Sequence, residues 1–150
     1  MVVKSDGPAH KARNGGVVLD IETPDEAAEA ARRLGGSVLI ARQVEPGTEV
    51  LCGMTRDADF GPILAVGRGG VAVEELDSVH LASAPLDIPA AADLVAEAGI
   101  DDPHGVVAAT LAALGDLALA HPRITSVEVN PLIVGTADTV AVDALVVLAD

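Results

Sequence analysis

Apolar residues in this chain gather mainly in short runs bounded by Gly, Pro and Asp, the spacing of β-strands set off by turns. Such runs cover Met1–Lys4, Gly16–Ile21, Ser37–Val44, Glu49–Arg56, Pro62–Val66, Val71–Glu75 and Val79–Ala82. The first begins abruptly, as though cut from something longer. Ser5 to Gly16 is instead a polar loop punctuated by glycine. Three stretches read as helices. Thr23-Pro24-Asp25-Glu26 combines an N-cap, a proline at the first helical position and a glutamate placed to close a capping box, so a helix runs to about Leu34. Gly35 ends it with a left-handed backbone, and Glu29 reaches Arg32 or Arg33 on the exposed side. Asp87 and Pro89 open a short helix to Ala98, and Asp102-Pro103 opens a longer one ending near His121-Pro122. Strands that come both as hairpins and with helices between them predict an α/β (α+β) chain. The expected architecture is a mixed β-sheet covered by helices on at least one face, in a single domain over residues 1–150.

The last stretch carries the most chemistry. Ser126 to Val134, a Gly135-Thr136-Ala137-Asp138 turn and Thr139 to Asp143 read as a β-hairpin. Strand side chains alternate, so Glu128 and Asn130 point one way while Val127 and Val129 point the other. A turn centred between Thr136 and Ala137 puts Asn130 directly opposite Asp143. Opposed Cβ atoms stand roughly 4.5–5.5 Å apart, close enough for an amide oxygen and a carboxylate to share one hard cation. Mg²⁺ takes few protein oxygens and leaves its other positions to water and substrate phosphates, so such a hairpin points to nucleotide chemistry. The plain alternative is that Asn130-Pro131 ends pairing at an edge and Asp143 is a solvated strand residue.

Composition narrows the partners. A chain of 150 residues, 50% of them hydrophobic, suffices for one domain with a real core and leaves little room for two. Its formal net charge of -14 repels nucleic-acid backbones, and Phe60 as the one aromatic offers no platform for stacking bases, so nucleic acid is excluded. The same acidity opposes free ATP; a nucleotide would arrive as its magnesium complex, against local positive charge. Cys52, alone in an apolar strand pattern, rules out an intrachain disulfide and fits a reducing compartment as a buried, inert thiol. No N-terminal segment has the pattern of a signal peptide, and the apolar helix around Val106 to Ala120 is interrupted by Gly115 and Asp116 and too short for a bilayer. These features predict a cytoplasmic protein without a membrane partner.

Other residues invite chemistry at single positions. Gly67-Arg68-Gly69-Gly70, between two strands, presents backbone N–H groups that could line an anion or nucleotide site, or else forms a tight connection only. Of Glu74 and Glu75, one faces each side of its strand. His10 and Lys11 sit in a loop bounded by Gly7, Pro8, Gly15 and Gly16, where an exposed imidazole can act as a phosphoryl nucleophile or be a plain surface histidine. His80, His104 and His121 lack the grouped spacing of a zinc site, and neither a Gly-x-Ser-x-Gly motif nor a Walker-type P-loop occurs.

In this order the motifs resemble the C-terminal part of the ATP-grasp domain of NDP-forming acyl-CoA synthetases, the ADP-forming acetate–CoA ligase group related to the succinyl-CoA synthetase β subunit. The resemblance covers nearly the whole chain. It rests on Val2-Val3-Lys4, His10-Lys11 with Gly15-Gly16-Val17, Glu49-Val50 with Gly53, Arg56-Asp57 and Phe60-Gly61-Pro62. It continues through Gly69-Gly70-Val71 with Val73-Glu74, Ala84-Pro85-Leu86, Asn130-Pro131-Leu132-Ile133-Val134 and Val140-Ala141-Val142-Asp143-Ala144. It implies that Asn130 and Asp143 hold Mg²⁺, and that Lys4, Glu49, Gly69, Gly70 and Glu74 bind ATP or ADP, with Lys4 on the phosphates. His10 would ride a swinging loop that carries the phosphoryl group between sites. CoA would be bound by a partner domain or subunit, and self-association stays open.

The chain also departs from that family. Ala41-Arg42 stands where a glutamine-glutamate pair borders the nucleotide, Ala82 and Leu145 replace expected arginines, and Ala12-Arg13 replaces Ser-Asp after His-Lys. Losing two cations and a glutamate from one site weakens phosphate binding. The first half of the ATP-grasp module is missing as well. Two functions therefore compete: a nucleotide-binding part of an acid–CoA ligase that needs further domains for activity, and a degenerate module with a regulatory or assembly role. An unrelated acidic α/β domain would require the ordered matches to be chance.

Overall fold

The computed structural model describes residues 1–6, 15–69 and 79–149. The strand expected over Val71–Glu75 lies outside the described residues, as do His10, Gly70 and Glu74. The described residues fall into two units, Met1–Glu45 and Pro46–Asp150.

In the first unit, strands β1 (Val2–Ser5), β2 (Val17–Val18) and β3 (Val38–Ala41) form an antiparallel sheet in the order β2-β1-β3. Helix α1 (Pro24–Leu34) packs Ala27 and Ala30 onto Val3 and Ile21, which excludes water from this small core. Its start is the capping box expected from sequence. The Thr23 hydroxyl accepts from the Glu26 N–H at 3.2 Å, and the Glu26 carboxylate accepts from the N–H groups of Glu22 and Thr23. Those bonds, Glu22's first, hold the Glu26 carboxyl below the usual carboxylate range. Gly35 closes the helix at φ 68, and Glu29 pairs with Arg32.

The second unit is a larger sheet, β4 (Thr48–Asp57), β5 (Gly61–Arg68), β6 (Val79–Ser83), β7 (Ile124–Val134), β8 (Thr139–Ala141) and β9 (Ala144–Leu148), backed by α2 (Ile88–Glu97) and α3 (Val106–Ala120). The order is β6-β5-β4-β7-β8, with β9 also on β7. Val50, Cys52 and Met54 of β4, Leu64 and Val66 of β5, and Val127, Leu132 and Val134 of β7 meet Ala91, Val95, Val107, Leu111 and Ala118 of the helices in one core. Burial pushes the Cys52 thiol up to about 12, with the Asp102 carboxylate adding to the effect, so this sulfur is inert.

The α+β class and the helix-covered sheet match the expectation, and every ladder among the described residues is antiparallel. Two boundaries differ. Helix α3 begins at Val106, not at Asp102-Pro103, because Asp102 caps it from a distance: its carboxylate accepts from the N–H groups of Val106 and Ala108, both at 3.0 Å. The chain also continues past Asp143 into β9, a run the hairpin reading stopped short of. Among the described residues no helix is long and apolar enough to cross a membrane.

Candidate functional site

The core residues of β4 and β7 identify the helix-covered face of the larger sheet, so their neighbours define the open one. Across that open face Gly53 of β4 lies between Ala65 and Glu128, and Glu128 lies opposite Leu145 of β9. Two residues further along β7 comes Asn130.

The alternation of β7 is reset there. Val129 and Leu132 both pack toward the helices, so Asn130 and Pro131 together occupy the open side, where the register against β4 shifts between Val50 and Cys52. Proline brings no N–H, and a bulge is the place in a central strand that tolerates it. Pro131 does not end pairing: its carbonyl accepts from Val142 at 3.1 Å.

The hairpin has the expected geometry. Gly135 N–H donates to the Asp138 carbonyl at 2.9 Å across the turn, and Val134↔Thr139, Ile133↔Val140 and Leu132↔Ala141 set the register. The same offset resumes at Val129↔Ala144, which leaves Asn130 opposite Asp143, and the Asn130 N–H donates to the Asp143 carbonyl at 3.2 Å. The Asp143 carboxylate accepts from the Ala144 N–H at 3.1 Å. The Asn130 amide donates through Nδ2 to Glu128 Oε1 at 3.0 Å, while its Oδ1 is buried with no hydrogen-bond partner.

A buried acceptor left unmet opposes folding by about 1–3 kcal/mol, so an oxygen kept in that state next to a carboxylate suits a ligand that arrives later. No group of three or more His, Cys, Asp or Glu able to hold a metal occurs among the described residues. A sparse set of hard oxygens fits Mg²⁺, which keeps most of its shell for water and phosphates. Asn130 and Asp143 fit that ion.

Glu49 and Gly69 are also brought together. The Gly69 N–H donates to the Glu49 carbonyl at 2.7 Å, so this amide is taken up by the sheet and does not line an anion site. A Cβ on Gly69 would stand 3.0 Å from the Val50 backbone, which explains the glycine by close approach of β4. Lys4 lies in β1, between Val17 and Leu39, in the first unit. Of the substituted positions, Arg42 is exposed after β3, Ala82 pairs with Leu64, and Leu145 faces Glu128. Glu128 was given no role by sequence reasoning, although its spacing from Asn130 placed both on one face.

A helix-backed antiparallel sheet with Glu128, Asn130 and Asp143 gathered on or beside its other face defines an α+β module whose oxygen donors are of the kind that suit a divalent cation. The chain belongs to the ATP-grasp domain family, whose model matches residues 1–148. It is 32% identical to the β subunit of ADP-forming acetate–CoA ligase I of Pyrococcus furiosus, over 99% of this chain and 74% of that one. It is 30% identical to ADP-forming acetate–CoA ligase I of Archaeoglobus fulgidus, of which it spans 25%. Among solved structures, the dinucleotide-forming acetyl-coenzyme A synthetase 1 of Ca. Korarchaeum cryptofilum, in complex with coenzyme A and Mg-AMPPCP, superposes with a TM-score of 0.84 at 27% identity, covering 99% of this chain and 76% of that one. The chain is thus the counterpart of the ATP-grasp portion of NDP-forming acyl-CoA synthetases.

Proposed function

We propose that this chain is the nucleotide- and Mg²⁺-binding portion of an NDP-forming acyl-CoA synthetase, a carboxylate–CoA ligase working through an acyl phosphate and a phosphohistidine. The observation that carries the reading is the register that opposes Asn130 to Asp143 with the Asn130 oxygen unmet. Likeness to the Pyrococcus and Korarchaeum proteins supports it. Asn130 and Asp143 would hold Mg²⁺, which supplies positive charge against the nucleotide phosphates. By the sequence resemblance Lys4 would contact the phosphates and Glu49, Gly70 and Glu74 the nucleotide, whereas the Gly69 amide is already bound to the Glu49 carbonyl. His10 accepts and returns the phosphoryl group, a role that rests on the sequence resemblance. Residues 1–150 act as one ATP-grasp module in this reading, and the CoA site belongs to a partner domain or subunit. The free, buried Cys52 suits a reducing compartment, and we assign the chain to the cytoplasm.

Leu145 supports a second reading, a module that has lost turnover and serves regulation or assembly, because an aliphatic side chain lies opposite Glu128 at a position where the sequence resemblance implies an arginine. Titrating the protein with Mn²⁺ in the presence of ADP tests the site: NMR broadening should begin at Asn130 and Asp143, and broadening centred elsewhere overturns the metal assignment. Reconstitution with a CoA-binding partner separates the two functions. A ligase forms phosphohistidine from Mg-ATP at His10, whereas the second reading expects none.

A further inference from the structure

We propose that β9 is a self-association edge: two copies of this chain join their larger sheets by pairing β9 with β9 antiparallel, about a twofold axis at Val146. The inference is independent of the metal assignment above. Among the described residues β9 forms a ladder with β7 alone, so its other edge is open. It carries neither a charge nor a proline, the usual protection of such an edge. Its large side chains are all exposed, from 38% at Leu145 to 57% at Leu148, and they divide between both faces of the sheet. Val146 and Leu148 sit opposite Val127 and Ile124 on the helix side, and Leu145 and Val147 sit opposite Glu128 and Ser126 on the other. Aliphatic side chains on both faces are the composition of an interior strand. At the far edge of the sheet β6 instead carries His80 and Ser83 and has α2 against it.

The backbone decides which partner fits. The carbonyls of Asp143 and Val147 and the N–H of Ala149 all point to β7, where they meet the Asn130 N–H at 3.2 Å, the Thr125 hydroxyl at 3.1 Å and the Arg123 carbonyl at 2.7 Å. Antiparallel ladders alternate, so Ala144, Val146 and Leu148 turn their N–H and C=O groups outward. These residues are symmetric about Val146. A second β9 running the opposite way therefore matches Val146 to Val146 and Ala144 to Leu148, and every outward donor meets an outward acceptor. The side chains match as well, aliphatic against aliphatic, with no charge inside the strand although the whole chain carries -14. Beyond the strand the same register sets Asp143 of one copy opposite Ala149 of the other, whose carbonyl accepts from the Arg123 guanidinium at 3.2 Å, so an acid meets a cation at each end.

Sedimentation of the whole chain, as its concentration is raised from micromolar to millimolar, should show a monomer passing to a dimer. Hydrogen exchange supplies the signature of the strand. The amides of Leu145 and Val147, bonded to β7, should be protected at every concentration, and those of Ala144, Val146 and Leu148 only where the dimer forms. Val146→Lys sets two cations together on the twofold axis and should keep the protein monomeric throughout, with Leu145 and Val147 still protected. If that variant releases β9 from β7, the wild-type exchange pattern decides the question by itself. A wild-type chain that stays monomeric, a dimer that survives Val146→Lys, or concentration-dependent protection outside β9 overturns the proposal. So does a monomer whose outer β9 amides become protected only when a CoA-binding partner subunit is added, which gives the edge to that partner.

Discussion

The two faces of the larger sheet share strands, hydrogen bonds and register, yet they are built by opposite rules. On the helix side Val50, Cys52, Met54, Leu64, Val66 and Leu132 interlock with α2 and α3 at almost no exposure. On the other side Glu49, Glu128 and Asn130 lie among the small residues Gly53, Ala65 and Gly67, so polar side chains take the place of apolar packing. Stability is concentrated on one face, where apolar burial at about 25 cal/mol per Å² accumulates. The other face keeps an unmet acceptor that folding would select against if stability were all that mattered. If this division is correct, substitutions on the helix side should change stability and leave the site's chemistry alone, and those on the open side should do the reverse.

The largest effect is expected at Leu111, fully buried in α3 against the sheet. Leu111→Ala deletes buried methylenes and leaves a cavity, so chemical denaturation should register a loss of about 2–5 kcal/mol. A loss under 1 kcal/mol would mean that the core is loosely packed and that the contrast between faces is weaker than drawn.

Asp102→Ala comes next. One carboxylate serves the N–H groups of both Val106 and Ala108, and Gly105 at the N-cap offers no side chain to replace it. A loss of about 1–2 kcal/mol is expected. It should be seen first as fraying of the first turn of α3 in hydrogen exchange, with Mn²⁺ binding unaffected.

The Asp102 cap also marks where sequence stopped being legible. Thr23-Pro24-Asp25-Glu26 announces α1 to the residue because its cap lies next to the helix it starts, and the structure reproduces the whole box. Asp102 satisfies donors four and six residues on, and the intervening turn is invisible to a local pattern. The hairpin was read correctly across its turn, since register follows from turn length, and Asn130 fell opposite Asp143 as expected. Its continuation into Ala144–Leu148 was missed because the chain leaves strand geometry at Val142 and Asp143 before pairing resumes on β7. Glu128 was placed on the right face, but its bond to Asn130 Nδ2 is a side-chain contact that strand periodicity alone does not reveal.

Gly115→Ala sharpens the comparison in the opposite direction. A Cβ there would meet Leu64 Cδ1 and the Ala84 Cβ at 3.5 Å, ordinary contact, in the middle of α3. Alanine gains helix propensity without a clash, so a stabilisation of about 0.5–1 kcal/mol is expected. Destabilisation on urea titration would show that the helix approaches the sheet too closely for even one methyl group.

The smallest change in stability, and the most informative, is expected at Asn130. Asn130→Ala loses the bond to the Glu128 carboxylate, worth about 1.5–3 kcal/mol, and also removes the buried oxygen that has no partner, whose burial costs about 1–3 kcal/mol. The two terms oppose each other, so the metal-free variant should stay within about 0.5 kcal/mol of wild type. The difference appears only with ligand. A cation that binds the folded state alone stabilises it by RT ln(1 + [L]/Kd), about 2.7 kcal/mol at a hundredfold excess over Kd. Wild-type Tm should therefore rise with Mn²⁺ and ADP, and the variant's should not. If Asn130→Ala unfolds the protein as badly as Leu111→Ala does, Asn130 is part of the scaffold and the two faces are not divided between stability and binding. If both proteins gain equally from Mn²⁺ and ADP, the cation is held elsewhere and the unmet oxygen has another purpose.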